Sequence, residues 1–223
     1  MRKLVVGAQV SLDGVMQGPG ALHEDPTNGF TLGGWAMPYF DDVLGKEMDR
    51  TFAERFALLL GRKTYEIFAA YWPYQPDDAP HSGIAKLFDG ITKYVVSRSG
   101  EVDTAWVHSV LLRDVEDIKR LRQEDGPHLV TQGSTELVHA LFAADLVDAI
   151  SIFTMPVVLG RGKKLFADGS APHAFELVRS AVSPNGAIVA HYERRGEVPR
   201  SDAPSAGPSD REIARQARMK REG

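Results

Sequence analysis

The stretch Leu58-Leu59-Leu60-Gly61-Arg62-Lys63-Thr64-Tyr65-Glu66 decides how the rest of the chain is read. An apolar run stops at a glycine, two cations and a threonine follow, and the pattern then turns helical. Phe56 to Leu60 predicts a buried strand, and Thr64 to Tyr71 predicts a helix stopped by Trp72-Pro73. A strand that passes into a helix through Gly61-Arg62-Lys63-Thr64 suits an anion. The glycine lets a ligand approach the backbone, and the helix start offers unpaired N–H groups and a positive dipole end. Thr64 adds a hydroxyl, while Arg62 and Lys63 add charge.

Two further turns share this design. Ser97-Arg98-Ser99 follows a third strand predicted over Lys93 to Ser97, and its arginine can grip a phosphate bidentately. Gln132-Gly133-Ser134-Thr135 follows a fourth strand predicted over His128 to Thr131. Taken singly, each reads as a tight turn with a Ser or Thr cap. Three in one sheet, two of them with arginine, point to a dinucleotide phosphate site at the carboxyl ends of parallel strands. Arg98 favours a cofactor with an extra phosphate, NADPH ahead of NADH. No Walker A pattern and no G-x-G-x-x-G after the first strand occur, which argues against a P-loop and a standard dinucleotide fold.

Working outward, Leu4 to Val10 predicts a buried first strand. Gly18 to Gly34 is dense in Gly, Pro, Asn and Asp and reads as a long loop. Asp41 or Asp42 caps a helix whose face carries Leu44, Met48 and Phe52. Ile84 to Phe88 predicts a short helix. Asp114 is the N-cap of a helix with the stripe Val115, Ile118 and Leu121, ended by Gly126-Pro127. Leu137, Val138, Leu141 and Phe142 form the buried face of the next helix, and Ala149 to Phe153 is a fifth strand. Phe175 to Val182 and Ala187 to Glu193 flank Ser183-Pro184-Asn185-Gly186, a hairpin signal. This order predicts a three-layer α/β fold: a mixed, mostly parallel central sheet closed by a C-terminal antiparallel hairpin. Residues 1–195 form that domain. Residues 196–223 are a Pro/Ser-rich linker and a basic tail, either disordered or a fraying helix.

Bulk composition narrows the function. The chain has 223 residues, 43% hydrophobic and 25% charged, with a formal net charge of -4. That balance gives no reason to expect nucleic-acid binding, so any anion site is local. There is no cysteine, which excludes disulfides, thiolate metal sites and a cysteine nucleophile. No apolar segment is long enough to span a bilayer, and no signal peptide is visible, so a cytoplasmic protein is expected. The seven histidines show no metal-ligand spacing. Gly160-Arg161-Gly162-Lys163-Lys164 is a basic turn, open either to a substrate phosphate or to solvent. The edge hairpin and broad apolar sheet lead us to expect a homodimer.

Taken together, strand-Gly-Arg-x-Thr-Tyr-Glu, strand-Ser-Arg and strand-x-Gly-Ser resemble the dihydrofolate reductase-like superfamily. Ser11-Leu12-Asp13-Gly14 is similar to the start of the reductase domain of bifunctional riboflavin-biosynthesis enzymes. Gly34 to Asp42, and Leu146-Val147-Asp148 through Pro156-Val157-Val158-Leu159-Gly160, look like that domain's stand-alone bacterial relatives. The resemblance covers roughly residues 2 to 195. It implies a dihydrofolate reductase-like fold, NADPH as cofactor, and hydride delivery to a small heteroaromatic or phosphoribosylamino-pyrimidine-like substrate. It also implies that Arg62, Lys63 and Thr64 hold phosphates and that Ser97 and Arg98 flank the 2′-phosphate. Gly133, Ser134 and Thr135 would approach the pyrophosphate.

Hydride transfer needs positioning and one proton. The candidate acids are Asp13, Asp41 and Asp42. An acid half-buried beside Trp35 would have a raised pKa and could donate. Asp13 is equally suited to a turn before Gly14, and one of Asp41 and Asp42 to helix capping. Trp35 is either a substrate-pocket wall or core. Two other functional classes stay open: a non-catalytic NADP(H)-binding module, and a partner-binding protein acting through its tail.

Overall fold

The computed structural model describes residues 1–200 and 207–222. In chain order the strands are β1 (Leu4–Ser11), β2 (Phe56–Gly61), β3 (Lys93–Val96), β4 (Ser109–Leu112), β5 (His128–Gln132), β6 (Ala149–Met155), β7 (Ala174–Val182) and β8 (Ile188–Gly196). The helices are α1 (Asp42–Thr51), α2 (Arg62–Ala69), α3 (Ser82–Gly90), α4 (Val115–Gln123), α5 (Thr135–Ala143) and α6 (Asp210–Glu222). All eight strands form one sheet in the order β4-β3-β2-β5-β1-β6-β8-β7. The pairings from β4 through β6 are parallel, and β8 and β7 then pair antiparallel. The mixed sheet with its closing hairpin matches the fold expected from the sequence.

Each element has a local cause. β2 is an unbroken apolar run because it is buried on both faces, as a central parallel strand must be. The Asp41 carboxylate accepts the Val43 and Leu44 N–H groups at 3.0 and 3.1 Å, so Asp41, not Asp42, caps α1. Asp114 caps α4 by accepting from the Asp117 N–H. The hairpin turns at Ser183–Gly186, where Gly186 takes a φ of 85° and Ser183 and Ala187 close the loop at 2.9 Å.

Two helical layers sandwich the sheet. Alternate β1 residues Leu4, Val6, Ala8 and Val10 pack with α4 and α5. On the other face two separate clusters form. Leu44 of α1 packs on Phe153 and Val189, whereas Tyr65 of α2 and Phe88 of α3 pack on Leu58, Leu60 and Val95. Between α1 and the α2–α3 pair, the sheet face over β1 is left half-covered: Val5 and Gln9 are only partly buried. That gap is the candidate cleft.

One feature differs from the expectation and two add detail to it. β4 is an additional strand at the sheet edge, only four residues long and half-exposed, so it carries no alternation to read. The long loop after β1 is closed rather than open. The Gly34 N–H donates to the Gly18 carbonyl at 2.8 Å, and the buried Gln17 amide donates to the Asp25 and Thr27 carbonyls. Residues 210–222 form a helix with no buried residue. Residues 201–206 of the linker expected before it lie outside the described residues.

Lys93, at the start of β3, is fully buried, with its Nζ donating 2.6 Å to the Phe88 carbonyl at the end of α3 and lying over the Trp106 ring. Burial pushes its pKa from 10.5 down to about 8, against the pull of Asp89. An unfolded lysine holds its proton up to its ordinary pKa, so between these values the unfolded chain binds more protons and stability rises with pH. We expect the Lys93 side-chain NMR resonance to titrate near pH 8, and Lys93→Met to remove this rise from the urea-unfolding profile. A titration near the ordinary lysine value would contradict the burial argument.

Candidate active and cofactor site

The ends of β2, β3 and β5 lie on one edge of the sheet, and the three turns predicted for phosphate all sit there. The first and third are in contact. The Gly61 N–H donates to the Ser134 hydroxyl at 3.0 Å, and a Cβ on Gly61 would stand 3.5 Å from the Ser134 Cβ. A Cβ on Gly133 would meet the Thr64 methyl at 3.7 Å. Gly133 and Ser134 are both left-handed, with φ of 69° and 65°. For a serine that conformation costs of order 1 kcal/mol. It turns the Ser134 hydroxyl away from its own helix and onto β2. Ser134 thus leaves α5 without a side-chain cap, and α2 has none because its N-cap is Gly61. Two helix starts lie side by side with backbone donors free, a setting that suits a polyanion.

Arg62 is engaged by Glu66 at 2.8 and 2.9 Å along α2, and Lys63 is exposed. Thr64 faces Gly133, and Thr135 opens α5. The second turn lies one strand further out. Ser97 is buried and tied to the Leu112 carbonyl by its N–H at 3.0 Å, while Arg98 is exposed. A residue missed from the sequence joins it. Arg113, directly after β4, lies over this turn so closely that a Cβ on Gly100 would stand 1.5 Å from its guanidinium. Two arginines thus flank Ser97. Arg113 was invisible because β4 was.

The candidate acids behave differently from expectation. Asp13 accepts from the Ser11 hydroxyl at 2.6 Å and from the Leu159 and Gly160 N–H groups at 3.0 and 2.8 Å. The Ser11 hydroxyl first, then the Leu159 N–H, hold its pKa down to about 2. Asp41, besides its capping bonds, accepts from the Ser183 hydroxyl at 2.5 Å. That bond first, and the Leu44 N–H next, lower its pKa too. Both carboxylates are held ionised by donors, so the raised pKa expected of a proton donor is corrected for each. Asp13 latches the β1 and β6 loops together, and Asp41 latches α1 to the hairpin turn. Asp42 is exposed in the first turn of α1. Trp35 is buried with its indole N–H donated to the Gln17 carbonyl at 2.8 Å, which makes it core.

A second network was also missed. Glu47, on α1, is buried and accepts from Arg179 Nε of β7 at 2.9 Å, with Arg50 also paired to it. His191 of β8 bridges the Glu47 carboxylate at 3.1 Å and the Ser151 hydroxyl of β6 at 2.8 Å. The strand register lines up Gly7, Ser151, His191 and Arg179 in one row across four strands. A bulge between Leu177 and Arg179 brings Arg179 opposite His191. This network anchors α1, one wall of the cleft, to the sheet.

Residues 2–189 match the family model of the RibD C-terminal domain. The chain belongs to that family. Among curated proteins it is 26% identical over 202 residues to the uncharacterized protein YyaP of Bacillus subtilis (strain 168), covering 87% of this chain and 96% of the relative. It is 27% identical over 173 residues to the uncharacterized protein YwjB of the same organism, covering 74% and 83%. Among solved structures, a putative riboflavin biosynthesis protein from Shewanella sp. PV-4 superposes with a TM-score of 0.57 at 21% identity, covering 86% of this chain and 99% of the other. A pyrimidine reductase-like protein from Corynebacterium diphtheriae gives 0.55 at 14% identity, covering 88% and 93%. Dihydrofolate reductase from Enterococcus faecalis, complexed with NADP(H) and RAB-propyl, gives 0.53 at 16% identity, covering 86% and 96%. These likenesses establish a dihydrofolate reductase-like fold.

The Glu47 network sets a pH dependence. Burial alone would raise the Glu47 pKa, but Arg179, His191 and Arg50 outweigh it and the net shift is downward. Burial first, then the Arg179 charge, lower the His191 pKa against the pull of Glu47. Both folded pKa values lie below their unfolded ones, so both groups stabilise above the unfolded values and lose that contribution as pH falls. Stability should drop from about pH 6.5 downward. His191→Gln should flatten the upper part of that slope, and Glu47→Ala should destabilise by about 3 kcal/mol by stranding its partners. Urea unfolding across pH 4–8 measures both; an unchanged slope in His191→Gln contradicts the assignment.

Proposed function

We propose that this protein is an NADPH-dependent reductase that transfers hydride to a small heteroaromatic or phosphoribosylamino-pyrimidine-like substrate. The observation that carries this is the joined pair of uncapped helix starts at Gly61–Thr64 and Gly133–Thr135, with Arg98 and Arg113 one strand away. The glycine cradles, the free backbone donors and the separate arginine pair fit a dinucleotide carrying a third phosphate. Membership of the RibD C-terminal domain family supports the reading. So do the pyrimidine reductase-like and NADP(H)-bound dihydrofolate reductase neighbours.

In this reading the backbone N–H groups of Arg62, Lys63, Ser134 and Thr135 hold the pyrophosphate, Gly61 and Gly133 let it approach, and the Thr64 hydroxyl lies beside it. Ser97, Arg98 and Arg113 hold the 2′-phosphate, and Arg113 adds to the set expected from sequence. The cofactor supplies the hydride. The protein supplies a cleft between α1 and α2 that orients the acceptor over β1. With Asp13 and Asp41 engaged by their hydrogen-bond donors, the proton would come from Asp42 or from solvent admitted to the cleft.

The test is a nicotinamide-fluorescence titration of the purified protein with NADPH and NADH. We expect NADPH to bind more tightly. Arg98→Ala and Arg113→Ala should each weaken NADPH about tenfold, on the order of 1.5 kcal/mol, while leaving NADH little changed. Failure of either cofactor to bind would sink the proposal. Binding without oxidation across a panel of heteroaromatic acceptors would leave a non-catalytic NADP(H)-binding module.

We also propose a homodimer. Leu177, Val182 and Ile188 are exposed, and the strand register aims them away from α1. Light scattering should give a dimer mass, and Ile188→Asp should yield monomer; a monomeric native protein would contradict this.

A further inference from the structure

The floor of the cleft carries two neutral carboxamides. In β1 the residues Val5, Gly7 and Gln9 point into the α1–α2 layer. Val5 packs with the α2–α3 cluster, and Gln9 lies in register with Phe153 under α1. Gly7 is paired with Gln132 of β5, and a Cβ on Gly7 would stand 2.5 Å from the Gln132 amide nitrogen. The Gln132 carboxamide therefore lies across the bare Cα of Gly7. This floor adjoins the cofactor turns, because the Gly133 N–H donates to the Gly7 carbonyl at 3.2 Å.

Gln9 is anomalous on that floor. Among the described residues its side-chain oxygen is buried and finds no hydrogen-bond donor, although the residue as a whole is only half-buried. A buried acceptor without a donor is destabilising, and a ligand that supplies the donor recovers that loss on binding. The neighbouring polar side chain on β6, Ser151, is already committed to His191 at 2.8 Å. The strands contribute no carboxylate to this part of the floor: its side chains are those of Val5, Gln9, Val130, Gln132, Ser151 and Phe153.

We propose that Gln9, with Gln132 beside it, is the substrate-reading group of the cleft, pairing with a lactam edge of the heterocycle. A carboxamide and a lactam are complementary. The carboxamide oxygen accepts the ring N–H, and its N–H donates to the ring carbonyl. A turn of the Gln9 side chain brings its oxygen from the buried side to that ring N–H. Being neutral, the pair selects a neutral lactam over a protonated aminoheterocycle, which would call for a carboxylate. This inference rests on the reductase reading for its substrate but names residues that reading does not use.

The probes are pteridine-2,4-dione, which is fluorescent and carries lactam N–H groups, and its 1,3-dimethyl derivative, which lacks them. Both are titrated into the native full-length chain, Gln9→Leu and Gln9→Glu, with NADPH titrated in parallel. The native protein should bind the dione at least about tenfold more tightly than the dimethyl compound. Gln9→Leu should erase that difference while binding NADPH as the native chain does. Gln9→Glu keeps the shape and loses the amide donor, so it should also lose affinity for the dione; a melting curve and the NADPH titration report that each variant is folded. Equal binding of the dione by native and Gln9→Leu protein overturns the proposal, as does equal binding of the two probes, or no dione binding by a native protein that takes NADPH. Loss of NADPH binding by the native chain would instead overturn the cofactor reading, and the dione comparison still decides the role of Gln9.

Discussion

A single hydrogen bond, from the Gly61 N–H to the Ser134 hydroxyl, joins the two turns on which the candidate site is built. It forms because Ser134 sits in the left-handed region after a left-handed glycine. That backbone aims its hydroxyl across to β2 instead of down its own helix. Two consequences follow. The ends of β2 and β5 are held together beyond their last paired residues, Leu58 and Val130. Both following helices keep bare N-termini, and the anion-attracting ends of α2 and α5 converge on one spot. A serine that capped α5 in the usual way would quench one of those ends. The local strain is the kind of feature that persists where surrounding structure over-determines it.

The cleft depends on a second constraint, the anchoring of α1. Asp41 ties its start to the hairpin turn, and Glu47 ties its middle to β7 and β8 through Arg179 and His191. Buried charges of this kind contribute little net stability, but each is costly to strand, so the network fixes where α1 sits. The C-terminal hairpin thereby does more than close the sheet: it sets one wall of the cleft. For the hydride transfer proposed above, that position matters, because such a reaction depends on holding two rings in register rather than on acid strength alone.

Most of the sheet was legible in the sequence because its strands are short apolar runs bounded by Gly, Pro and Asp. The β1, β2 and β5 runs, the Asp114 cap and the Ser183–Gly186 turn each carry their own local signal. β4 carried none, being four residues at a half-exposed edge, and Arg113 was lost with it. The lowered pKa values of Asp13 and Asp41 were not legible for a related reason. Asp13 and Asp41 look alike from their neighbours in sequence as donors or caps. Their partners, Leu159, Gly160 and Ser183, come from segments more than a hundred residues away.

By itself, the sequence determined the α/β order, the three hydroxyl-bearing turns at strand ends and the caps, because these depend on propensity and hydrogen bonding within a few residues. Only the tertiary structure decided which turns touch, which carboxylates are ionised by donors, and which side chains face the cleft. The bulge that brings Arg179 opposite His191, and the bare Cα of Gly7 beneath Gln132, are properties of strand register. Register is set by packing and pairing between segments distant in the chain, and no local pattern carries it.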